Sequence, residues 1–145
     1  AASDVYKRQE WGDGLEWDYL KEVVKLIKDR SKTITEIISM SEIFFKDKLE
    51  YDINLLNKTF NDKSIAIIKD FQSALSSIED WSRVEIEKIF EDIMEQHEVA
   101  IGQVMKPVRV AISGIPFGPG IFDLILLLGK EICQIRLRHA LSVIQ

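Results

Sequence analysis

The residues best suited to chemistry lie near the C-terminal end, where Arg109 precedes a turn that contains Gly118-Pro119-Gly120. A guanidinium group offers several N–H donors in a fixed plane, which can bind a phosphate or the acceptor atoms of a nucleotide base. Glycines on both sides of Pro119 allow another backbone or a flat ring to approach closely. A helix that begins after this turn adds free N–H groups, which attract phosphates or base acceptors. The same pattern also fits a plain corner between two helices that buries the apolar run 121–128.

The elements that position this stretch are predicted to be helices throughout, which makes the fold class all-α. Apolar residues recur at helical spacing in each segment, and no alternation of strand and helix patterns occurs. The predicted apolar faces include Val23 and Val24 in the first helix and Ile37, Ile38 and Phe44 in the second. The predicted helices cover residues 15–29, 33–45, 62–78, 104–113 and 121 onward, with a short piece at 53–56 and a further helix after Asp80 or Ser82.

Polar, proline and glycine residues predict where several of these helices begin and end. Thr33 is a plausible N-cap, with Glu36 completing a capping box. Pro107 suits the first turn of a helix, because proline lacks the N–H that the helix interior requires. Gly114 is placed to end that helix in a left-handed conformation, and Pro119 is predicted to open the next one.

The composition is that of a soluble globular protein of 145 residues, with 46% hydrophobic and 30% charged residues. By size the chain forms one domain or two small subdomains. No run reaches the roughly 18 apolar residues that a membrane span needs, so no membrane partner is expected. Cys133 is the single cysteine, which rules out a disulfide framework within the chain, and no secretory signal pattern is visible.

The charge is distributed unevenly along the chain. Residues 101–145 hold five basic and two acidic side chains, a net charge of +3, whereas residues 1–100 carry −8 of the total of −5. A local basic patch can attract a polyanion even on an acidic protein, because the local field matters more than the sum. The alternative is that Lys130, Arg136 and Arg138 simply coat the last helix.

The sequence contains no recognisable catalytic set. No Ser/His/Asp or Cys/His arrangement and no phosphate-binding glycine loop followed by Lys-Ser/Thr is present. His97 and His139 lack cysteines or carboxylates at metal-ligand spacing. We therefore predict no catalytic residue, no metal ligand and no cofactor in this chain.

Three ordered segments resemble the C-terminal anticodon-binding domain of bacterial-type glutamyl-tRNA synthetases, which are class I aminoacyl-tRNA synthetases. They are MKPVRVAISG at 105–114, GPGIF at 118–122 and LLGKE at 127–131. A weaker similarity covers residues 20–33, and the whole resemblance extends over roughly residues 15–142. The resemblance implies an all-helical domain made of two small subdomains, at 15–81 and 82–145.

The resemblance also implies which residues contact tRNA. In this family the anticodon bases are unstacked and read one by one, as sequence reading of RNA generally requires. Arg30 corresponds to an arginine that reads the last anticodon base, which separates glutamate from glutamine tRNAs. Gly118 departs from the family pattern of Ser or Thr, so a hydroxyl contact is lost there. The implied tRNA-binding residues are Arg30, Lys106, Arg109, Gly118, Pro119, Gly120 and Ile121.

The family's catalytic motifs, of the "HIGH" and "KMSKS" type, do not occur in this sequence. The resemblance therefore implies that this chain does not itself activate an amino acid. It implies a full-length parent that is a cytoplasmic, monomeric ligase and attaches glutamate to tRNA(Glu) with ATP and Mg²⁺. The expected partner is the anticodon loop of tRNA(Glu), with tRNA(Gln) left open as a second; neither DNA nor a membrane is expected.

Residues 1–14 are predicted to be a disordered or non-native leader, because their charges show no period and residues 3–9 resemble translated sequencing-adapter sequence. Two alternatives to a truncated synthetase remain open. One is an α-helical protein-interaction module, which predicts an exposed apolar groove. The other is a free-standing, non-catalytic tRNA-binding relative.

Overall fold

The computed structural model describes residues 14–28, 33–46 and 49–144, and within these ranges the protein is all-α, as predicted. Eight helices and no strands occur in the described part of the chain. The helices are α1 (Gly14–Ile27), α2 (Ile34–Phe45), α3 (Ile53–Thr59), α4 (Asp62–Ser77), α5 (Arg83–His97), α6 (Ile101–Ser113), α7 (Ile121–Leu128) and α8 (Lys130–Ile144).

Most of the predicted helix ends are confirmed by their hydrogen bonds. The side chain of Thr33 accepts a hydrogen bond from the backbone N–H of Glu36, at 3.1 Å, and caps α2. Ser82, one of the two predicted caps, accepts from the N–H of Glu85 and begins α5. Gly114 ends α6 in the left-handed region, with φ of 76°.

Pro107 lies inside α6 and not in its first turn, so that prediction was wrong. The helix begins at Ile101 because the side chain of Gln103 accepts a hydrogen bond from the N–H of Ala100, at 3.0 Å. This cap satisfies an N–H that would otherwise lack a partner at the helix start. Pro107 then follows in the interior, where it cannot donate to the carbonyl of Gln103.

Pro119 does not open α7, which corrects a second prediction. The N-cap is Gly120, whose carbonyl accepts the first helical hydrogen bond from the N–H of Leu124, at 2.9 Å. The carbonyl of Pro119 instead accepts a hydrogen bond from a side chain, as described below. The prolyl residue therefore belongs to the turn, and α7 begins only at Ile121.

One continuous core joins helices from both halves of the chain. The rings of Phe71 and Phe90 meet edge to face with their centroids 5.4 Å apart, and Phe90 meets Phe122 in the same way at 5.0 Å. The buried side chains of α1 and α2 belong to the same cluster as those of α6 and α8. Buried residues before and after Trp81 belong to this one core. The division into subdomains at 15–81 and 82–145 stays a prediction.

Val24, Ile37 and Ile38 were predicted on apolar faces, but their side chains are exposed, at 49%, 40% and 54%. Val23 and Phe44, which were predicted on the same faces, are almost fully buried, so for them the prediction is confirmed. No helix of the described ranges is long and apolar enough to cross a membrane.

Candidate nucleic-acid interface

The site is built around the turn at residues 114–120, which joins α6 to α7. Arg109 lies on α6, one turn before its end, and its Nη1 donates a hydrogen bond to the carbonyl of Pro119, at 2.7 Å. This bond links the helix to the far end of the turn. Arg109 therefore fixes the shape of the turn, a role that the sequence alone did not indicate.

The near end of the turn is held by Ser113. Its hydroxyl donates to the carbonyl of Arg109, at 2.6 Å, and accepts from the N–H of Ile115, at 3.3 Å. Because hydrogen bonds hold both ends, the intervening residues keep one backbone conformation. Such a preformed turn loses little conformational freedom when it binds a ligand.

Position 118 requires glycine because of its backbone conformation more than because a side chain would lack space. Its φ is +138°, a region that other residues rarely adopt. A Cβ atom at this position would lie 3.5 Å from Nη1 of Arg109, which is ordinary contact. Gly118 therefore places the turn directly beside the guanidinium group of Arg109.

Pro119 and Ile121 face inward and are buried, and Gly120 between them is half-buried. The side chain of Ile121 is only 3% exposed and belongs to the core. These residues can therefore offer a ligand only their main-chain atoms. Their role in tRNA binding stays a prediction.

The N-terminus of α7 is occupied by a carboxylate of the protein itself. Asp123 lies in the first turn of α7, and a Cβ atom built on Gly120 would be 3.2 Å from its Oδ2. Its Oδ1 lies 3.1 Å from Nη1 of Arg83, whose Nε also binds Glu87. A negative charge at this helix end favours the helix and disfavours a phosphate there. We therefore do not assign a phosphate to the start of α7.

Lys106 lies on α6 one turn before Arg109, and residues three apart on a helix are surface neighbours. Its side chain is exposed and lines a cleft of about 230 Å³ between α6 and the start of α4. Lys63, Asn61 and Gln103 also line this cleft. Two lysines and two amide side chains make a surface that suits a phosphate group.

Besides Arg109, two more of the five basic residues counted in the C-terminal part donate to backbone carbonyls. Arg136 is 4% exposed and donates to the carbonyls of Ile43 and Ile112, at 2.6 and 2.8 Å. Lys130 donates through Nζ to the carbonyl of Ile78, at 3.0 Å, beyond the end of α4. These residues neither coat the last helix nor belong to a basic patch, because their charges interact with helix ends. Arg138 alone of the three is exposed.

Arg30 lies outside the described residues, so its proposed contact with the last anticodon base stays a prediction. Among the residues that the structure does describe, no three His, Cys, Asp or Glu side chains come together as a metal site. Nor does Cys133 suggest a reactive thiol, because burial raises its pKa to about 12.

Sequence reasoning missed Phe117, which lies in the middle of the turn and is 49% exposed. A signal was present, because the ring stands between Pro116 and Gly118, where no helical face could bury it. Residues 99–122, which include the turn, contain Lys106 and Arg109 and no acidic side chain. An exposed aromatic ring beside a guanidinium group is typical of proteins that bind single-stranded nucleic acid.

The structure thus defines an all-helical domain in which Arg109 and Ser113 hold an exposed turn between α6 and α7. A family model described as "Anticodon binding domain" matches residues 5–141, nearly the whole sequence. The chain therefore belongs to the anticodon-binding domain family.

Curated relatives share this domain. The chain is similar to glutamate–tRNA ligase 2 of Thermoanaerobacter pseudethanolicus, with 31% identity over 135 residues, which cover 92% of this chain and 28% of that protein. It is also similar to the glutamate–tRNA ligase of Flavobacterium psychrophilum, with 32% identity over 127 residues, or 88% of this chain and 25% of that protein. The chain thus spans about a quarter of the length of these relatives.

A solved structure shows the same fold. The glutamate tRNA ligase of Elizabethkingia meningosepticum, crystallised in complex with its amino acid, superposes with a TM-score of 0.79 at 21% identity. The superposition covers 99% of this chain and 28% of that one.

Proposed function

We propose that the chain reads the anticodon loop of tRNA(Glu) as the anticodon-binding part of a glutamyl-tRNA synthetase. The observation that carries this proposal is the hydrogen bond from Arg109 to Pro119, which holds an exposed turn in one shape on a basic, acid-free stretch. Membership of the anticodon-binding domain family supports the ligand class, and the similarity to glutamate–tRNA ligases supports the choice of tRNA.

In this proposal the turn contacts the unstacked bases, while the lysines contact the backbone. Arg109 contributes in two ways, because it shapes the turn and brings a positive charge beside Gly118. Lys106 and Lys63 line the neighbouring cleft and bind a phosphate of the RNA backbone. Phosphate contacts supply affinity and position the RNA, whereas base contacts supply sequence preference. The two sets of residues therefore have separable effects on binding.

The activity of a full-length parent is part of the same proposal. The parent attaches glutamate to tRNA(Glu) in the cytoplasm as a monomer, using ATP and Mg²⁺ in a catalytic part to which no residue described here is assigned. Charging of tRNA(Gln) by the same parent depends on the last anticodon base, for which Arg30 is the proposed reader.

Binding of RNA stem-loops to the 145-residue chain tests the proposal. We expect the anticodon stem-loop of tRNA(Glu) to bind at least about tenfold more tightly than a stem-loop with all three anticodon bases replaced. A charge-assisted hydrogen bond to a base is worth about 1.5–3 kcal/mol, which corresponds to this ratio or more. Both affinities must be measured at the same salt concentration, because phosphate contacts depend strongly on salt.

Equal affinity for the two stem-loops would contradict anticodon reading and would leave only a basic surface. The absence of any binding by a folded chain would contradict the proposal altogether. Circular dichroism at the assay temperature establishes that the chain is folded in each measurement.

A further inference from the structure

Phe117 differs from the other phenylalanines of the protein. The chain has seven, all within the described ranges, and six of them are buried or half-buried. The ring of Phe117 is 49% exposed. A single exposed apolar residue needs no explanation in general. This one, however, lies in the turn that Arg109 and Ser113 hold in place.

The backbone on both sides of Phe117 is restricted. Pro116 restricts the chain on one side, and Gly118 follows with its φ of +138°. The hydrogen bonds of Arg109 and Ser113 hold the turn beyond these two residues. The ring is therefore presented on a preformed loop, and binding a partner costs little loss of conformational freedom.

The surroundings of the ring indicate which chemical group it suits. Gly118 has no side chain, and the position of its absent Cβ is 3.5 Å from Nη1 of Arg109. The guanidinium group thus lies beside Gly118, the residue that follows Phe117 in the turn. A phosphate cannot use an aromatic face, whereas a nucleotide base has a flat face that stacks and an edge with hydrogen-bond acceptors. The combination matches an unpaired base.

We propose that Phe117 is a stacking platform for one unpaired base of the anticodon loop, an inference that rests on the proposed function above. The base lies against the ring and directs its edge towards the side of the turn at Arg109. Phe117 thereby supplies affinity for a base of any identity, because every base has a stacking face.

A double-mutant cycle between the protein and the RNA tests this inference. The 145-residue chain and its Phe117→Ala variant are titrated with the intact stem-loop and with three stem-loops, each abasic at one anticodon position. We expect Phe117→Ala to weaken binding of the intact stem-loop by about tenfold, a typical effect of losing one stacked base. For one of the abasic stem-loops the substitution should have no further effect, because the stacking partner is already absent.

Two further variants separate stacking from simple apolar contact. Phe117→Trp should bind the intact stem-loop within about threefold of the unmodified chain, because a larger ring also stacks. Phe117→Leu should lose about as much affinity as Phe117→Ala. Val143→Ala is the matched control, because it removes an apolar side chain of similar exposure, 40%, from α8. The control should leave binding unchanged.

The outcomes distinguish this inference from the proposed function. If the chain prefers the correct anticodon while Phe117→Ala binds within twofold of it, the stacking role is wrong and anticodon reading stands. If Phe117→Leu binds as well as the unmodified chain, the ring makes an apolar contact without stacking, and the inference is again wrong. If the chain shows no anticodon preference but Phe117→Ala weakens every stem-loop except one abasic one, the stacking role stands and the proposed reading of base identity is wrong. If Phe117→Ala weakens all three abasic stem-loops as much as the intact one, the stacking role is wrong.

Discussion

At the scale of single residues, Arg136 shows how a charge can serve the fold and not the ligand. Its guanidinium group lies between the ends of α2 and α6, where it donates to the carbonyls of Ile43, Lys46 and Ile112. Carbonyl groups at the end of a helix have no partner within the helix and carry partial negative charge. One buried side chain on α8 therefore joins three helices.

Replacing this side chain should destabilise the protein severely. We expect Arg136→Ala to lower the free energy of unfolding by about 3 kcal/mol, because several buried carbonyls lose their donor. Arg138→Ala is the matched control on the same helix, and its exposed side chain should matter by less than about 0.5 kcal/mol. Urea unfolding followed by circular dichroism measures both values. Similar stability of the two variants would contradict the structural role of Arg136.

Cys133 provides a second test of burial at the residue scale. Its side chain is fully buried, and burial raises its pKa to about 12, although the nearby charge of Arg136 acts in the opposite direction. The thiol therefore stays protonated and shielded in the folded protein. At pH 8 we expect a thiol reagent to label the native chain at least about a hundredfold more slowly than the urea-unfolded chain. Rapid labelling of the native chain would show that the thiol is accessible.

The same group links stability to pH. The ordinary pKa of the thiol is 9.0, so the unfolded chain releases this proton at lower pH than the folded chain. The folded state thus holds more protons, and its stability from this source is complete below pH 9 and falls as the pH rises towards 12. Cys133→Ala should remove this part of the alkaline decline in unfolding free energy.

At the scale of the elements, α6 joins the core to the turn, and two glycines test its boundaries. Gly114 ends the helix with φ of +76°, whereas Gly102 lies in the first turn of the helix with no atom within 4 Å of an added Cβ. Gly114→Ala should lower the free energy of unfolding by about 1–2 kcal/mol, because a left-handed backbone is strained for alanine. Gly102→Ala should raise it by about 0.5–1 kcal/mol, since alanine favours helix.

These opposite signs are measured in one denaturation experiment on two variants of the same helix. Destabilisation by both substitutions would show that Gly102 is not in an unstrained helical position. Stabilisation by both would show that the helix does not end at Gly114 in the left-handed conformation.

Local sequence patterns predicted the helix ends correctly where the type of one residue determines the end. Thr33, Ser82 and Gly114 were recognisable because capping and left-handed conformation depend on residue type. The interior position of Pro107 was not predictable in this way, because it depends on tertiary packing, which buries Pro107 together with Val104 and Val108 on α6. The burial of Arg136 was also hidden, because it depends on contacts with α2, which is 90 or more residues away along the chain.

At the scale of the whole molecule, the acidic chain contains a long acid-free stretch around the turn. The net charge of −5 comes with 24 acidic residues, yet residues 99–122 contain none. The charge count predicted a basic C-terminal part, but three of its five basic residues, Arg109 among them, donate to backbone carbonyls. The stretch that carries the turn therefore supports the proposed RNA-binding surface better than the sum of charges does.

The sequence identified Arg109 and the turn, but it did not predict that the two are bonded to each other. The arginine at 109 indicates hydrogen-bond donors, and the glycines at 118 and 120 indicate a backbone that can adopt unusual conformations. The bond from Arg109 to Pro119 depends on the angle at which α6 meets the turn, which only the packed structure defines. For the same reason Phe117 could be noticed as an unusual residue in a turn, but its exposure could not be deduced.

The most direct test of the central claim combines Arg109→Ala with a change of anticodon. Affinities of the 145-residue chain and the variant are measured for the tRNA(Glu) anticodon stem-loop and for one with all three anticodon bases replaced. We predict that the variant loses about tenfold or more in affinity for the correct stem-loop and that its preference between the two RNAs falls by the same factor, while the part of the preference proposed for Arg30 is kept. Lys106→Ala, the control, should weaken both equally and keep the preference. A variant of Arg109 that is folded and retains the full anticodon preference would contradict the claim that the turn held by Arg109 reads the anticodon.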